Sequence, residues 1–564
     1  MKKIILRPAK HFENIKEIIY NSAKEYGEKA AYIIKHKNGE YENKSYKKLL
    51  EDINAFGAGL YALGLKGKRV AVIGRNRYEW AVAHLANVMG AIVSVPLDKD
   101  LQANELEDSL NRSGAEALVY DEKLEKKVDA VKNTTSVKHF ICMKDGFGMS
   151  FNDVLKLGKE SIDGGNTDYV DCQIDADALA ILLFTSGTTD KSKAVMLCQR
   201  GIAQNVYDMQ LVEDIRSSDV NIAFLPFHHI FGSTGFLVML ACGVTTVFTD
   251  GLRYVKKNLK EYKVSLFIGV PIILDSMYKN IEKEIKKQGK EKLIAVAKGV
   301  SRFLLKCGID MRRVIFKAVI DQLGGAMRLI ISGGAPLDKE TARNFRDLGI
   351  ELVQGYGLTE TSPVIAAESW EFMRENSVGK PMASVDVRID NKDENGIGEI
   401  MVKGTNVMLG YYENIEATNA VMRDGWFNTG DLGYLDKDGY LFITGREKNM
   451  IVLKNGKKVF PEELETLINR IEGVKESFVY GIDEDGLGCD KVLCKVVYDA
   501  AEVSGSFEEI YEKYWCKIKE INKTLPMYKY IKGMILTDEP LVKTTTNKVK
   551  RKEEMAVILS SEEK

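Results

Sequence analysis

The chain lacks several features that would otherwise decide its class. Its eight cysteines, at 142, 172, 198, 242, 307, 489, 494 and 516, form no C-x-x-C pair and have no histidine partners at metal spacing. Neither zinc nor a disulfide framework is suggested, and reduced thiols in a cytosol fit best. Net charge is nearly absent: 80 basic against 81 acidic residues leave −1, which argues against a general nucleic-acid binder. No internal repeat or low-complexity tract occurs. The start, MKKIILRPAKHFENI, has three consecutive apolar residues before Arg7, too few for a signal-peptide core, so a cytoplasmic protein is expected. The uncharged stretch 221–249 is long enough to span a bilayer. However, Pro226, His228, His229, Gly232, Gly235 and Gly243 break it into strand, loop, short helix and strand, the pattern of a buried α/β segment.

What is present is enough chain for more than one core. With 564 residues, 45% of them hydrophobic, at least two domains are expected. Short apolar runs recur between helical patterns, at 69–74, 91–95, 117–120, 139–143 and 265–270, which reads as βαβ units with parallel sheets. From about 378 to 445 the texture changes to strands and turns (VDVRID, GIGEIMVKG, GYLFITG), the pattern of a small antiparallel or barrel-like subdomain. A further α/β portion begins near Arg446, where FPEELETLINRI carries proline in its first turn and acids after it.

The run Leu183 to Lys193, LFTSGTTDKSK, follows an apolar strand. Thr185, Ser186, Thr188, Thr189 and Ser192 can each donate a hydroxyl proton to phosphate oxygen, Gly187 lets backbone N–H groups face the same anion, and Lys191 and Lys193 add charge. A Walker A loop needs a second glycine before its lysine, and none is there, which disfavours a P-loop ATPase. Taken alone, such a cluster is also what a solvated loop looks like.

Four further segments accompany it: Ser332 to Leu337 (SGGAPL), Gln354 to Thr361 (QGYGLTET), Gly425 to Gly433 (GWFNTGDLG) and Gly439 to Leu453 (GYLFITGREKNMIVL). KTTTNKVKR, at 543–551, stands near the end. In this order and spacing they resemble the adenylate-forming superfamily of acyl-CoA synthetases, peptide-synthetase adenylation domains and luciferases. The resemblance covers nearly the whole chain, and the wording from FNTGDLG to FPEELE looks most like long-chain fatty acid–CoA ligases.

The resemblance implies an α/β fold. Residues 1–445 would form a large N-terminal AMP-binding domain of two βαβ-type subdomains plus the small β-barrel-like subdomain, and 446–564 a small mobile α+β C-terminal domain. It also implies a reaction: a carboxylate attacks the α-phosphate of ATP, pyrophosphate leaves, and the acyl group passes from AMP to the thiol of CoA. The obstacle is repulsion between two anions, so cations and donors are needed rather than a general base.

By resemblance, Lys548 bridges the carboxylate and the α-phosphate. Glu360, with Thr185 as a second oxygen ligand, would hold Mg²⁺. Tyr356 would stack on one side of adenine, with the Gly334-Ala335-Pro336 backbone on the other. Gln354, Gly355, Gly357 and Thr359 would complete the nucleotide segment, with Ser186, Gly187, Thr188, Thr189 and Lys193 on the phosphates. Asp431 and Arg446 would take the ribose hydroxyls, and His229 would stand near the acyl chain as a catalytic-site residue. Lys448 would be the hinge on which the C-terminal domain turns between the two half-reactions.

The chain departs from the family pattern at Asp190, Ser192 and Ala194 in the grip, at Gln199 where histidine is usual, and at Asn547 in place of glycine. An acyl-carrier protein as acceptor, or a product that stops at acyl-AMP, remains open because both thiols are chemically alike. A non-catalytic nucleotide- or lipid-binding relative is disfavoured by the joint presence of Lys548, Glu360, Asp431 and Arg446.

Residues 279–317 carry twelve Lys or Arg against four acids. The segment reads either as a solvated helical insertion or as one lying on an anionic membrane surface that supplies fatty acid, at the inner face of the membrane.

Overall fold

A computed structural model of the chain describes residues 5–185, 192–483, 488–543 and 549–562. Its N-terminal part is built on two large, mainly parallel sheets with helices between their strands, as the βαβ alternation requires. In the eight-stranded sheet the strands run Gly410–Tyr411, Lys193–Cys198, Leu179–Thr185, Val93–Leu97, Arg69–Ile73, Ala117–Tyr120, His139–Cys142 and Met149–Ser150. The central strands are parallel, and Leu179–Thr185 turns back on Lys193–Cys198 as an antiparallel hairpin in which Thr185 faces Lys193.

The nine-stranded sheet is parallel from Glu351–Gly357 through Leu329–Ser332, Leu266–Gly269, Val220–Ala223 and Thr245–Phe248 to Ala30–Lys35, with antiparallel strands at its edges. The segment 221–249 divides here as expected, with the helix Ile230–Ala241 between two strands of this sheet. Twelve residues make a helix of about 18 Å, short of the ~30 Å of a bilayer core. Among the described residues no helix is long and apolar enough to cross a membrane.

Residues 385–446 form a five-stranded antiparallel sheet, in which the long strand Trp426–Leu435 pairs with Gly398–Gly404, Met422–Arg423 and Leu441–Arg446. From Ile451 onward the chain packs a core of its own around Val459, Leu464, Val479, Val496 and Tyr514. The helix Pro461–Ile468 starts there with proline at its first turn, where no intrahelical N–H is lost. This C-terminal domain touches the larger one through Arg470, whose Nε donates to Asp338 Oδ2 at 2.6 Å, and through an ion pair between Lys283 and Glu502.

Candidate active site

The site forms where strands of the nine-stranded sheet end. Leu329–Ser332 and Glu351–Gly357 are parallel neighbours, so the segments that follow them, Gly333 to Pro336 and Tyr356 to Thr359, emerge side by side, the usual place for a ligand in an open α/β sheet. Gly333 to Ala335 and Tyr356 to Thr359 line a cleft of about 1760 Å³ with Gln354, Gly355 and His229. Gly334 has φ +81°, a conformation that suits glycine, and a Cβ on Gly357 would lie 1.9 Å from the Pro363 carbonyl oxygen.

Tyr356 links the cleft to the antiparallel subdomain. Its hydroxyl donates to Asp431 Oδ2 at 2.7 Å, while Arg446 Nε lies 2.9 Å from Oδ1. Asp431 and Arg446 are direct cross-strand partners. Burial pushes the Asp431 carboxyl up, and the neighbouring Arg446 guanidinium opposes this; Asp431 in turn raises Arg446. Each Asp431 oxygen keeps a second lone pair with which to accept a hydroxyl.

A second chain of contacts starts at the hairpin stem. Thr185 Oγ donates to the Lys193 carbonyl at 3.2 Å, and Lys193 Nζ lies 4.4 Å from the centre of the Tyr411 ring. Tyr411 is placed by the short strand Gly410–Tyr411, which adds to Lys193–Cys198, and its hydroxyl donates to Glu360 Oε1 at 2.9 Å. The Glu360 carbonyl accepts the Met408 N–H at 2.8 Å, fixing the turn Thr359–Thr361. Glu360 is close enough to contribute to the electrostatic stabilisation of Arg446. Thr185, Lys193, Glu360, Tyr356, Asp431 and Arg446 thus belong to one contiguous region.

Other residues singled out in the sequence have different surroundings. Gln354 donates its side-chain amide to the Ser377 carbonyl at 2.7 Å. Pro336 is exposed, next to the cleft-lining Gly334 and Ala335. His229 stands at the residue preceding helix Ile230–Ala241, without a side-chain capping hydrogen bond, and its ring centroid lies 4.6 Å from that of His228. Lys448 is exposed in the turn Glu447–Asn449, between the last strand of the antiparallel sheet and the C-terminal domain. Ser186, Gly187, Thr188, Thr189, Asp190, Lys191, Asn547 and Lys548 lie outside the described residues.

Two of the departures have a structural account. Ser192 is held by Arg112, which donates to its Oγ at 3.2 Å and its carbonyl at 2.9 Å. Gln199 is buried, accepting the Ile15 N–H and donating to the Val88 carbonyl. Tyr411 escaped the sequence reading: its only signal is the glycine-aromatic turn GYY, which does not reveal pairing to a strand more than 200 positions earlier.

The model of the AMP-binding enzyme family matches residues 19–412, and that of the AMP-binding enzyme C-terminal domain matches residues 448–557. The chain belongs to the AMP-binding enzyme family. Among relatives, it is 27% identical over 487 residues to the long-chain-fatty-acid–CoA ligase FadD15 of Mycobacterium bovis, covering 81% of this chain and 80% of that one. It is 26% identical over 550 residues to the chloroplastic long-chain-fatty-acid–[acyl-carrier-protein] ligase AEE15 of Arabidopsis thaliana, covering 84% and 75%. Among solved structures it is similar to ATP-bound MatB from Rhodopseudomonas palustris, with a TM-score of 0.74, 25% identity and coverage of 97% and 98%. Its general class is that of the adenylate-forming acid–thiol ligases.

Proposed function

We propose that the chain activates a long-chain fatty acid with ATP, forming acyl-AMP and pyrophosphate, and then transfers the acyl group to CoA. The observation that supports this reading is that the cleft lined by the nucleotide segments is also lined by Phe231, Ile272, Ile273, Met277 and Ile281, side chains suited to a hydrocarbon tail, alongside charged groups such as Arg75, Arg77 and Lys256.

In this reading Thr185, Lys193 and the residues Ser186 to Thr189 hold the polyphosphate. Tyr356 and the Gly334 to Pro336 backbone enclose adenine, with Gln354, Gly355, Gly357 and Thr359 shaping the pocket. Asp431, oriented by Tyr356 and Arg446, accepts the ribose hydroxyls. The two anions approach only if Lys548 lies between them: at about 4 Å and an effective dielectric near 20, one such contact is worth roughly 4 kcal/mol. Turning the C-terminal domain about Lys448 then exchanges that lysine for the strand beyond Asn449 and admits the thiol.

Glu360 and Thr185 fit a magnesium ion as hard oxygen donors. Glu360 commits Oε1 to the Tyr411 hydroxyl and Thr185 gives its proton to a carbonyl, so both keep lone pairs to offer. When bound, the ion neutralises polyphosphate charge.

Transfer to an acyl-carrier protein is the second reading, supported by the AEE15 relative. Incubation of the enzyme with ATP, magnesium and palmitate, with CoA or with carrier protein, separates the two. Palmitoyl-CoA is the expected product; palmitoyl-carrier protein alone would favour the second reading.

A further inference from the structure

The helix Glu291–Lys306 is amphipathic with its apolar stripe turned outward. Its inner face is held largely by polar groups. Lys298 Nζ donates to Tyr278 Oη at 3.0 Å and to Asn344 Oδ1 at 2.7 Å, Arg302 pairs with Asp347, and Ser301 is buried, while only Ile294 and Ala297 reach the core. On the outer face stand Leu293, Val296, Val300 and Phe303, at 64, 65, 50 and 66% exposure. Their spacing of three, four and three residues puts them on one stripe. Ile309, Val314 and Ile315, just beyond the helix end, are exposed as well. Scattered exposed apolar residues are ordinary, but a continuous stripe marks a docking surface.

We infer that this face docks on an anionic lipid membrane, with the stripe inserted at the headgroup boundary. Charge decides the occupant. The segment 279–317 carries twelve cations against four acids, and among the described residues Lys286, Lys287, Lys290, Lys292 and Lys306 have no ion pair. Apolar side chains flanked by uncompensated lysines match a bilayer surface of negative potential. A second copy of the same face would bring like charges together.

The cleft is lined in part by Ile272, Ile273, Met277 and Ile281 of helix Pro271–Lys287, the element that precedes the exposed helix. Ile272 is also 54% exposed, so the cleft reaches the surface at the start of that helix. Docking on the membrane does not rest on the fatty-acid reading.

The test is cosedimentation of the full chain with phosphatidylcholine vesicles and with vesicles of phosphatidylcholine and phosphatidylglycerol in equal parts. The wild type is expected to partition onto the anionic vesicles and not onto the neutral ones. Val296→Glu/Phe303→Glu should lower that partition about tenfold or more, as should replacing Lys286, Lys287, Lys290 and Lys292 with glutamine. Both variants should keep the wild-type melting temperature, because the sites are exposed. Absence of binding to anionic vesicles, or equal binding by both variants, overturns the inference. So does a dimer in light scattering that Val296→Glu/Phe303→Glu dissolves, which would assign the face to a second copy. Vesicle binding requires no catalysis, so its failure is distinguishable from failure of the ligase assignment.

Discussion

Tyr411 donates its hydroxyl to Glu360 at 2.9 Å while Lys193 lies over its ring, so one aromatic side chain ties the stem of the hairpin proposed to hold phosphate to the carboxylate proposed as a magnesium ligand. A hydrogen bond to a charged group contributes about 1.5–3 kcal/mol, and about 1.4 kcal/mol is tenfold in rate. Tyr411→Phe should therefore slow acid-dependent pyrophosphate exchange by about tenfold to a hundredfold with little change in melting temperature. Glu360→Gln, which removes the carboxylate charge, should cost more. Equal and wild-type-like exchange in both variants would show that the link is only structural.

Asp431 receives Tyr356 on one oxygen and Arg446 on the other. Tyr356→Phe removes one of these constraints while keeping an aromatic face for adenine. The expected outcome is a higher KM for ATP, about tenfold, with kcat nearly unchanged, since the contact serves ground state and transition state alike. A drop in kcat at constant KM would place Tyr356 closer to the reacting phosphate than proposed.

The two half-reactions should separate by mutation. Lys548→Ala is expected to lower acyl-AMP formation by up to about a thousandfold and to affect transfer from preformed acyl-AMP far less. Lys448→Pro fixes φ at the turn between the two domains and should do the reverse, sparing adenylation more than thioester formation. Comparable losses of both rates in Lys448→Pro would remove the hinge from this position.

Stability should carry the signature of Glu213. This residue is buried at the end of helix Gln199–Val212, its Oε1 has no hydrogen-bond partner among the described residues, and burial holds its carboxyl pKa well above the ordinary 4.5. Arg7 opposes this shift, and Glu351, Glu368 and Glu371 reinforce it. The folded state therefore keeps a proton that the unfolded chain releases near pH 4.5. The corresponding stability is full below that pH and is lost as pH rises toward the folded value, at up to about 1.4 kcal/mol per unit. Glu213→Gln should thus gain melting temperature relative to wild type as pH rises above about 4.5. A pH-independent difference would mean that the carboxyl is ionised in the fold.

Much of this was legible in the sequence, and the gaps have physical reasons. Alternating apolar runs and punctuating glycines carry the βαβ order, because strand and helix periodicities are local; so Leu266–Gly269 and the helix Ile230–Ala241 fall where the pattern puts them. Asp431 and Arg446 lie in contiguous motifs on adjacent strands, and both stood out. Tyr411 did not, because its meaning comes from pairing with Lys193–Cys198 across the chain. The helix Glu291–Lys306 shows its periodicity in sequence, but which face turns inward depends on Tyr278, Asn344 and Asp347, distant residues that recruit its lysine and arginine.

The most direct measurement is AMP release, with ATP, magnesium and CoA, across saturated and unsaturated acids from acetate to oleate, with the thioester product identified. The account predicts acid-dependent AMP release that rises toward the long chains, with one acyl-CoA formed per AMP. Absence of acid-dependent AMP or pyrophosphate from every acid tested would contradict it.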